Sequence, residues 1–245
     1  MTKTIIITGA SGTVAQPVIE VLQKKYSLRL FDRFSHRNHT IEKLDIRKER
    51  AVNRKIRDAD TLIHLAAIPE EDEAAKILNS NIIGTLNVFR AAHANGINRI
   101  IFASSIMAYG TPETYPLDRP LHPLKHSHPT THYATSKLYG ENLAQMYSLV
   151  HGLSTICLRL GWYPRTGSPR DIIIRQSYML LSPSDCKRLF LSCVEAPQVD
   201  HAVVNGLSRA GKDYFDLEPG RKLLNFDPQD EAQEAVAQHL QRLHL

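Results

Sequence analysis

The chain has 245 residues, 42% hydrophobic and 22% charged, with a formal net charge of +5, the balance of a globular domain able to bury a sizeable core. No low-complexity stretch and no run of ~18 apolar residues is present, which argues against a membrane span. Cys157, Cys186 and Cys193 are odd in number and carry no C-x-x-C spacing, so neither a disulfide framework nor a metal site is expected. The basic residues are scattered without interleaved aromatics, and even the densest run, "RKERAVNRKIRDAD", has its acids mixed in; nucleic acid is not an expected partner. The opening "MTKTIIITGA" goes straight into a strand pattern without the features of a secretory signal, so the expected location is cytoplasmic.

In chain order, residues 4–7 (TIII) form a short β-branched run of the kind buried on both sheet faces. A glycine-rich turn and a helical pattern over 14–25 follow, then strands over 28–32 and 41–45 and a helix over 47–57. A strand over 61–65, a long helical pattern over 72–95 with a break near its start, a strand over 99–104, a helix over 134–150 and a strand over 153–160 continue the alternation. Such alternation implies an α/β fold, a doubly wound parallel sheet with helices on both faces. Beyond residue 160 the rhythm changes to the Gly/Pro-rich "GWYPRTGSPRD", a short helix after Ser182, a strand at "HAVVNG" and an amphipathic helix in "QDEAQEAVAQHLQRLHL". The expected organisation is a dinucleotide-binding core over 1–160 and a small C-terminal substrate lobe over 161–245, packed on it as one compact unit.

The turn "TGASGTVA" places Gly9, Gly12 and Ala15 at three-residue steps between the first strand and the first helix. Gly9 permits the tight turn, Gly12 and Thr13 bring backbone amides toward a pyrophosphate, and Ala15 lets helix and strand pack closely. Asp32 ends the second strand, where a carboxylate accepts from both hydroxyls of an adenosine ribose. The expected cofactor is therefore NAD in preference to NADP, whose 2′-phosphate the acid would repel, although Arg33 beside it offers that phosphate a partner. Asp45 is a candidate for the adenine edge or, equally, an N-cap for a helix over 46–55.

Tyr133 and Lys137 stand four residues apart in "YATSK", on one face of a helix. An unperturbed phenol titrates near ~10, too high for a base at neutral pH, and a neighbouring ammonium lowers it. Tyr133 can then exchange a proton with a substrate hydroxyl while a hydride moves, and Lys137 is long enough to reach the nicotinamide ribose. Ser105, at the end of the fifth strand, would hold the substrate oxygen. His122, His126, His128 and His132 crowd the loop before Tyr133 and read as a polar lid rather than a metal site; His132 is a candidate for the substrate pocket.

With these residues in view, the chain resembles the extended short-chain dehydrogenase/reductases, the NAD-dependent epimerase/dehydratase family. The resemblance rests on "TGASGTVA", "HLAA" (64–67), "NIIGTLNV" (81–88), "SSIMAYG" (104–110) and "YATSK" (133–137), in order over roughly residues 4–165. It implies a Rossmann fold, a catalytic triad of Ser105, Tyr133 and Lys137, and a cofactor lined by Leu65, Ala66, Ala67 and Asn81 beside Gly9, Gly12, Ala15 and Asp32. Within the family the chain is most similar to uronate dehydrogenases, which oxidise a free hexuronic acid to an aldarolactone with NAD. That likeness implies a sugar or sugar-acid substrate and sets Arg175 at the substrate carboxylate, with Arg165 and Arg170 as alternatives. The departures are Ile106 and Met107 after the catalytic serine and Trp162 in the following loop, where those enzymes carry polar residues. An epimerase acting on a sugar or nucleotide sugar, and a sensor that binds a dinucleotide without catalysis, are the rival readings. A homodimer through the two long helices is the assembly the family implies.

Overall fold

The computed structural model describes residues 2–111, 120–164, 177–210 and 214–242. Its centre is a seven-stranded parallel sheet in the order β3-β2-β1-β4-β5-β6-β7. The strands are β1 (Thr4–Thr8), β2 (Ser27–Asp32), β3 (Glu42–Lys43), β4 (Thr61–His64), β5 (Arg99–Ser105), β6 (Ser154–Leu160) and β7 (His201–Gly206).

The period of two along each strand feeds two cores. Ile5 and Ile7 of β1 face one cluster with Ile63, Ile101 and Ile156, whereas Ile6 faces the other with Leu62, Ile100 and Phe102. Helices α1 (Ala15–Leu22) and α6 (Pro183–Glu195) cover the first face through Val18, Ile19, Leu189 and Phe190. Helices α2 (Glu49–Lys55), α4 (Gly84–Ala94) and α5 (His132–His151) cover the second through Val52, Val88, Phe89 and Ala144. Both faces are therefore dry, which is why the strands read as unbroken apolar runs. Gly140 is what lets α5 lie this close, because a Cβ there would run into the Phe102 ring.

The long helical pattern over 72–95 is three pieces: α3 (Ala74–Ile77), a π-helical stretch Leu78–Ile83, and α4. The π turn falls where Asn81 swings inward to bond elsewhere in the protein. The region after residue 160 supplies β7 to the central sheet, paired along β6 from Thr155↔His201 to Leu160↔Gly206, and α6 to its outer layer. A helix that the pattern did not announce, α7 (Glu218–Leu224), carries Pro219 in its first turn and contains Gly220, which masked its periodicity. It stops at Asn225 in the left-handed region, φ 53°. Helix α8 (Ala232–Arg242) packs Ala232 and Val236 on Leu180 beside Trp162.

Candidate active site

All seven strands are parallel, so their carboxyl ends share one edge, and sheet order reverses between β1 and β4. A cleft of about 970 Å³ opens along that edge, near the top of the ~300–1,000 Å³ usual for ligand pockets. Gly9, Gly12, Thr13, Ala15 and Asp32 line one end; Leu65, Ala66 and Ala67 line the middle; Ser105, Ile106, Met107, Tyr133, Lys137 and Trp162 line the other. Arg175, Arg170 and Arg165 lie outside the described residues.

At the first end the glycine turn is fixed by its own backbone. The Gly9 and Ala10 amides donate to Phe31 O at 2.9 and 3.2 Å, and Gly12 N donates to Gly9 O at 3.1 Å. Gly9 has φ +77°, and a Cβ there would sit 2.5 Å from the Ala66 nitrogen, so only glycine allows the β1 and β4 ends to meet this closely. Asp32 is held in place by Ser11, whose amide and hydroxyl donate to Oδ2 at 3.0 and 2.8 Å. Its Oδ1 accepts from Phe34 N at 3.1 Å, leaving the carboxylate with lone pairs to spare.

At the other end, β5 finishes in two serines that strand alternation sends opposite ways. Ser104 donates its hydroxyl to Glu141 at 2.5 Å inside the protein. Ser105 caps the short helical turn Ile106–Tyr109 by accepting from Met107 N at 3.2 Å. Tyr133 and Lys137 sit in the first two turns of α5, with the Lys137 ammonium 5.5 Å from the Tyr133 ring centroid. Lys137 is buried and donates to Ala103 O at 2.8 Å; burial pulls its pKa down to about 8. Below it His64 bridges Thr8 and Thr85 at 2.7 and 3.1 Å. Burial, with a lesser push from the Lys137 charge, lowers His64 to about 3, so this ring is a neutral strut joining β1, β4 and α4.

Three expected residues stand apart from the cleft. Asp45 is turned toward Arg47, which donates Nη2 to Oδ2 at 2.7 Å, while its neighbours Leu44 and Ile46 line the cleft instead; nor does it cap α2, whose N-cap is Lys48. Asn81 is buried behind the cleft wall, bonded to both backbone groups of Ile68. His132 points outward, its Nδ1 2.6 Å from Glu71 Oε1. Among the described residues, no group of three or more His, Cys, Asp or Glu is placed to hold a metal.

The residues that sequence reasoning passed over form a buried polar frame behind Ser105. Arg159 of β6 makes a two-pronged pair with Glu141, Nε to Oε1 at 2.9 Å and Nη2 to Oε2 at 2.8 Å. Its remaining amine donates to His126 O at 2.9 Å, and its guanidinium stacks 4.5 Å from the Tyr109 ring. Tyr109 in turn donates to Asn205 of β7 at 2.7 Å. Two signals were available: Glu141 continues the four-residue stride of Tyr133 and Lys137, and Arg159 interrupts the otherwise apolar strand "TICLRL".

Comparison with known proteins agrees with this arrangement. Residues 5–163 match the NAD dependent epimerase/dehydratase family. An NAD-dependent glucose-6-phosphate dehydrogenase of Haloferax volcanii is 31% identical, over 96% of this chain and 96% of its own length. A uronate dehydrogenase of Agrobacterium fabrum is 32% identical, over 97% of this chain and 88% of its own. The solved structure of a mutant uronate dehydrogenase from Agrobacterium tumefaciens complexed with NAD superposes with a TM-score of 0.85 at 30% identity, covering 99% of this chain and 90% of that one. With the motifs in order, the parallel sheet and its cleft, and these relatives over nearly its full length, the chain belongs to the NAD dependent epimerase/dehydratase family and is an NAD-dependent enzyme of the dehydrogenase/epimerase type.

Proposed function

We propose that this protein is a dehydrogenase of a free sugar or sugar acid, with a hexuronate oxidised to its aldarolactone as the first substrate to try. The observation that carries this reading is the convergence of Asp32 and the glycine turn with Ser105, Tyr133 and Lys137 in one cleft. NAD, when bound, supplies the hydride acceptor. The open backbone at Gly12 and Thr13, ahead of the amino end of α1, suits a pyrophosphate, and the spare lone pairs of Asp32 suit ribose hydroxyls. Tyr133 takes the proton of the reacting hydroxyl as its carbon gives up a hydride, Lys137 stabilises the phenolate, and Ser105 orients the oxygen.

The substrate side supports a sugar presenting part of an apolar face. Ile106, Met107 and Trp162 line it, and Trp162 is pinned by backbone bonds to Met179 O at 2.7 Å and from Leu181 N at 2.8 Å. Arg175 is the partner proposed for a substrate carboxylate. The three cysteines are buried and unpaired, which fits a reducing compartment such as the cytoplasm, and no helix among the described residues is long and apolar enough to cross a membrane. Met146, Leu149 and Val150 leave an apolar strip on α5, with Leu149 79% and Val150 66% exposed. A second copy of this chain is the proposed cover, and its mass in solution is the check.

The test is appearance of NADH with a panel of hexuronates, neutral aldoses, phosphorylated aldoses and nucleotide sugars. Stoichiometric NADH with a free sugar or uronate, reduced by roughly 10²–10⁴-fold in Tyr133→Phe with NAD binding retained, is the expected result. Interconversion of sugars without net NADH would replace the reading with an epimerase. Tight NAD binding with no conversion of any sugar would replace it with a sensor.

A further inference from the structure

The loop that follows β4 carries Leu65, Ala66 and Ala67 along the cleft floor, and it is laced to the catalytic helix at two points. Asn81 Oδ1 accepts from Ile68 N at 2.8 Å, while its Nδ2 donates to Ile68 O at 3.0 Å and to Ser136 Oγ at 3.1 Å. Ser136 passes the connection on by donating to Tyr133 O at 2.7 Å. The second point is Glu71. Its Oε1 accepts from His132 N at 3.1 Å and its Oε2 from Tyr133 N at 2.8 Å.

A helix opens with four amides that have no partner within it. In α5 the third, Ala134 N, donates to the Thr131 hydroxyl at 3.0 Å, and Thr135 N donates to Thr131 O at 3.0 Å. Thr131 is the local cap, and it serves only the later amides. The first two belong to His132 and Tyr133, and both are taken by one carboxylate that lies 62 positions from Tyr133 in the chain, in the loop that follows β4. Bonds from the Tyr133 amide, with help from His132, hold Glu71 below the usual carboxylate range, so it stays an acceptor-only anion at the positive end of the helix. Helix ends fray, and here the second residue of the helix is the reacting phenol.

We propose that Glu71 is a positioning residue for the dehydrogenase reaction: it fastens the backbone of Tyr133 to the loop that floors the cofactor cleft, and so sets the phenol and Lys137 against the reacting carbon. This rests on the reading of Tyr133 as the base given above. Glu71 does not line the cleft and touches no reacting group. Its effect is on geometry, where a displacement of about 1 Å costs on the order of 10²-fold in rate.

The experiment compares Glu71→Ala, Glu71→Gln and, as a control on the same loop, Glu73→Ala. Steady-state kinetics, NAD affinity read from the fluorescence of Trp162, and hydrogen exchange of the 129–138 segment are measured on each. Glu71→Ala is expected to lower kcat about 10²-fold while the sugar KM and the NAD dissociation constant stay within about threefold, with protection lost at the first turn of α5 alone. Glu71→Gln should recover part of kcat, since an amide oxygen still accepts one of the two N–H bonds, and Glu73→Ala should match the wild type. A Glu71→Ala kcat within about twofold of wild type, or a loss of NAD affinity and protection across the whole sheet in step with kcat, would overturn the proposal. If the wild type binds NAD but converts no sugar, the dehydrogenase reading fails by itself; exchange then decides, because unchanged protection over 131–135 in Glu71→Ala removes the clamp and selective loss retains it.

Discussion

The two ends of the cleft are built in different ways. The cofactor end is almost entirely local: Gly9, Ser11, Gly12 and Asp32 all belong to the first strand-helix-strand unit, and the turn's backbone bonds return to β2 through Phe31. The other end, proposed as the catalytic one, is assembled from distant pieces. Tyr133 is held by Glu71, Ser104 by Glu141, and Glu141 by Arg159 of a different strand. The first end depends on conformations only certain residues can adopt, whereas the second leans on long-range bonds that include the buried Glu141–Arg159 pair, whose charge must be paired in full. They should therefore fail differently when disturbed.

The largest effect is expected from Gly9→Ala at the cofactor end. Alanine at φ +77° carries the left-handed penalty of ~1–2 kcal/mol, and its Cβ meets the backbone of Ala66, which no rotamer change relieves. Loss of NAD binding together with a large drop in the urea midpoint is the outcome; a stable variant that still binds NAD would show that the β1 and β4 ends can separate.

Arg159→Met attacks the catalytic end. Removing one partner of a buried pair costs roughly 3–5 kcal/mol, because Glu141 is left charged in a dry site. The double variant Glu141→Leu/Arg159→Met should regain most of that stability, since apolar replacement of a whole pair is often neutral. Its kcat should remain low, because Ser104 and the His126 carbonyl lose their anchors. Full activity in the double variant would reduce the frame to packing.

Lys137→Met gives the smallest and most specific signal. In the folded protein Lys137 titrates at about 8 instead of 10.5, so between those values the unfolded chain binds the extra proton and wild-type stability rises with pH. Below about 8 the burial cost is present in full. Relative to Lys137→Met, the wild type should gain on the order of 3 kcal/mol across that window, measured by urea unfolding at several pH values. A gap independent of pH would mean that the ammonium is solvated.

The contrast between the ends also explains what could be read in advance. Ala15, Asp32 and the glycines were legible because their requirements are conformational and their spacing is short. The same holds for the long helix of Tyr133 and Lys137, where a stride of four puts two side chains on one face. Asp45 sat at a plausible strand end, yet Arg47, two residues on, captured its carboxylate. His132 is adjacent to Tyr133, but the first turn of α5 aims it outward to Glu71. Asn81 read as a lining residue, while the π turn carries it behind the wall to Ile68 and Ser136. In each case a neighbour or a bend of one turn decided the matter.

Taken alone, the order of residues determined the parallel sheet, its two apolar faces, the glycine turn and the Tyr133–Lys137 pair, because strand period, helix period and glycine backbone freedom act over a few positions at a time. Only the tertiary structure decided which carboxylate takes the Ser104 hydroxyl, which one holds the first amides of α5, and which arginine neutralises Glu141. Those choices are made by hydrogen bonds and charge pairs across 18 to 62 residues of chain, and such partners become neighbours only after the sheet has closed.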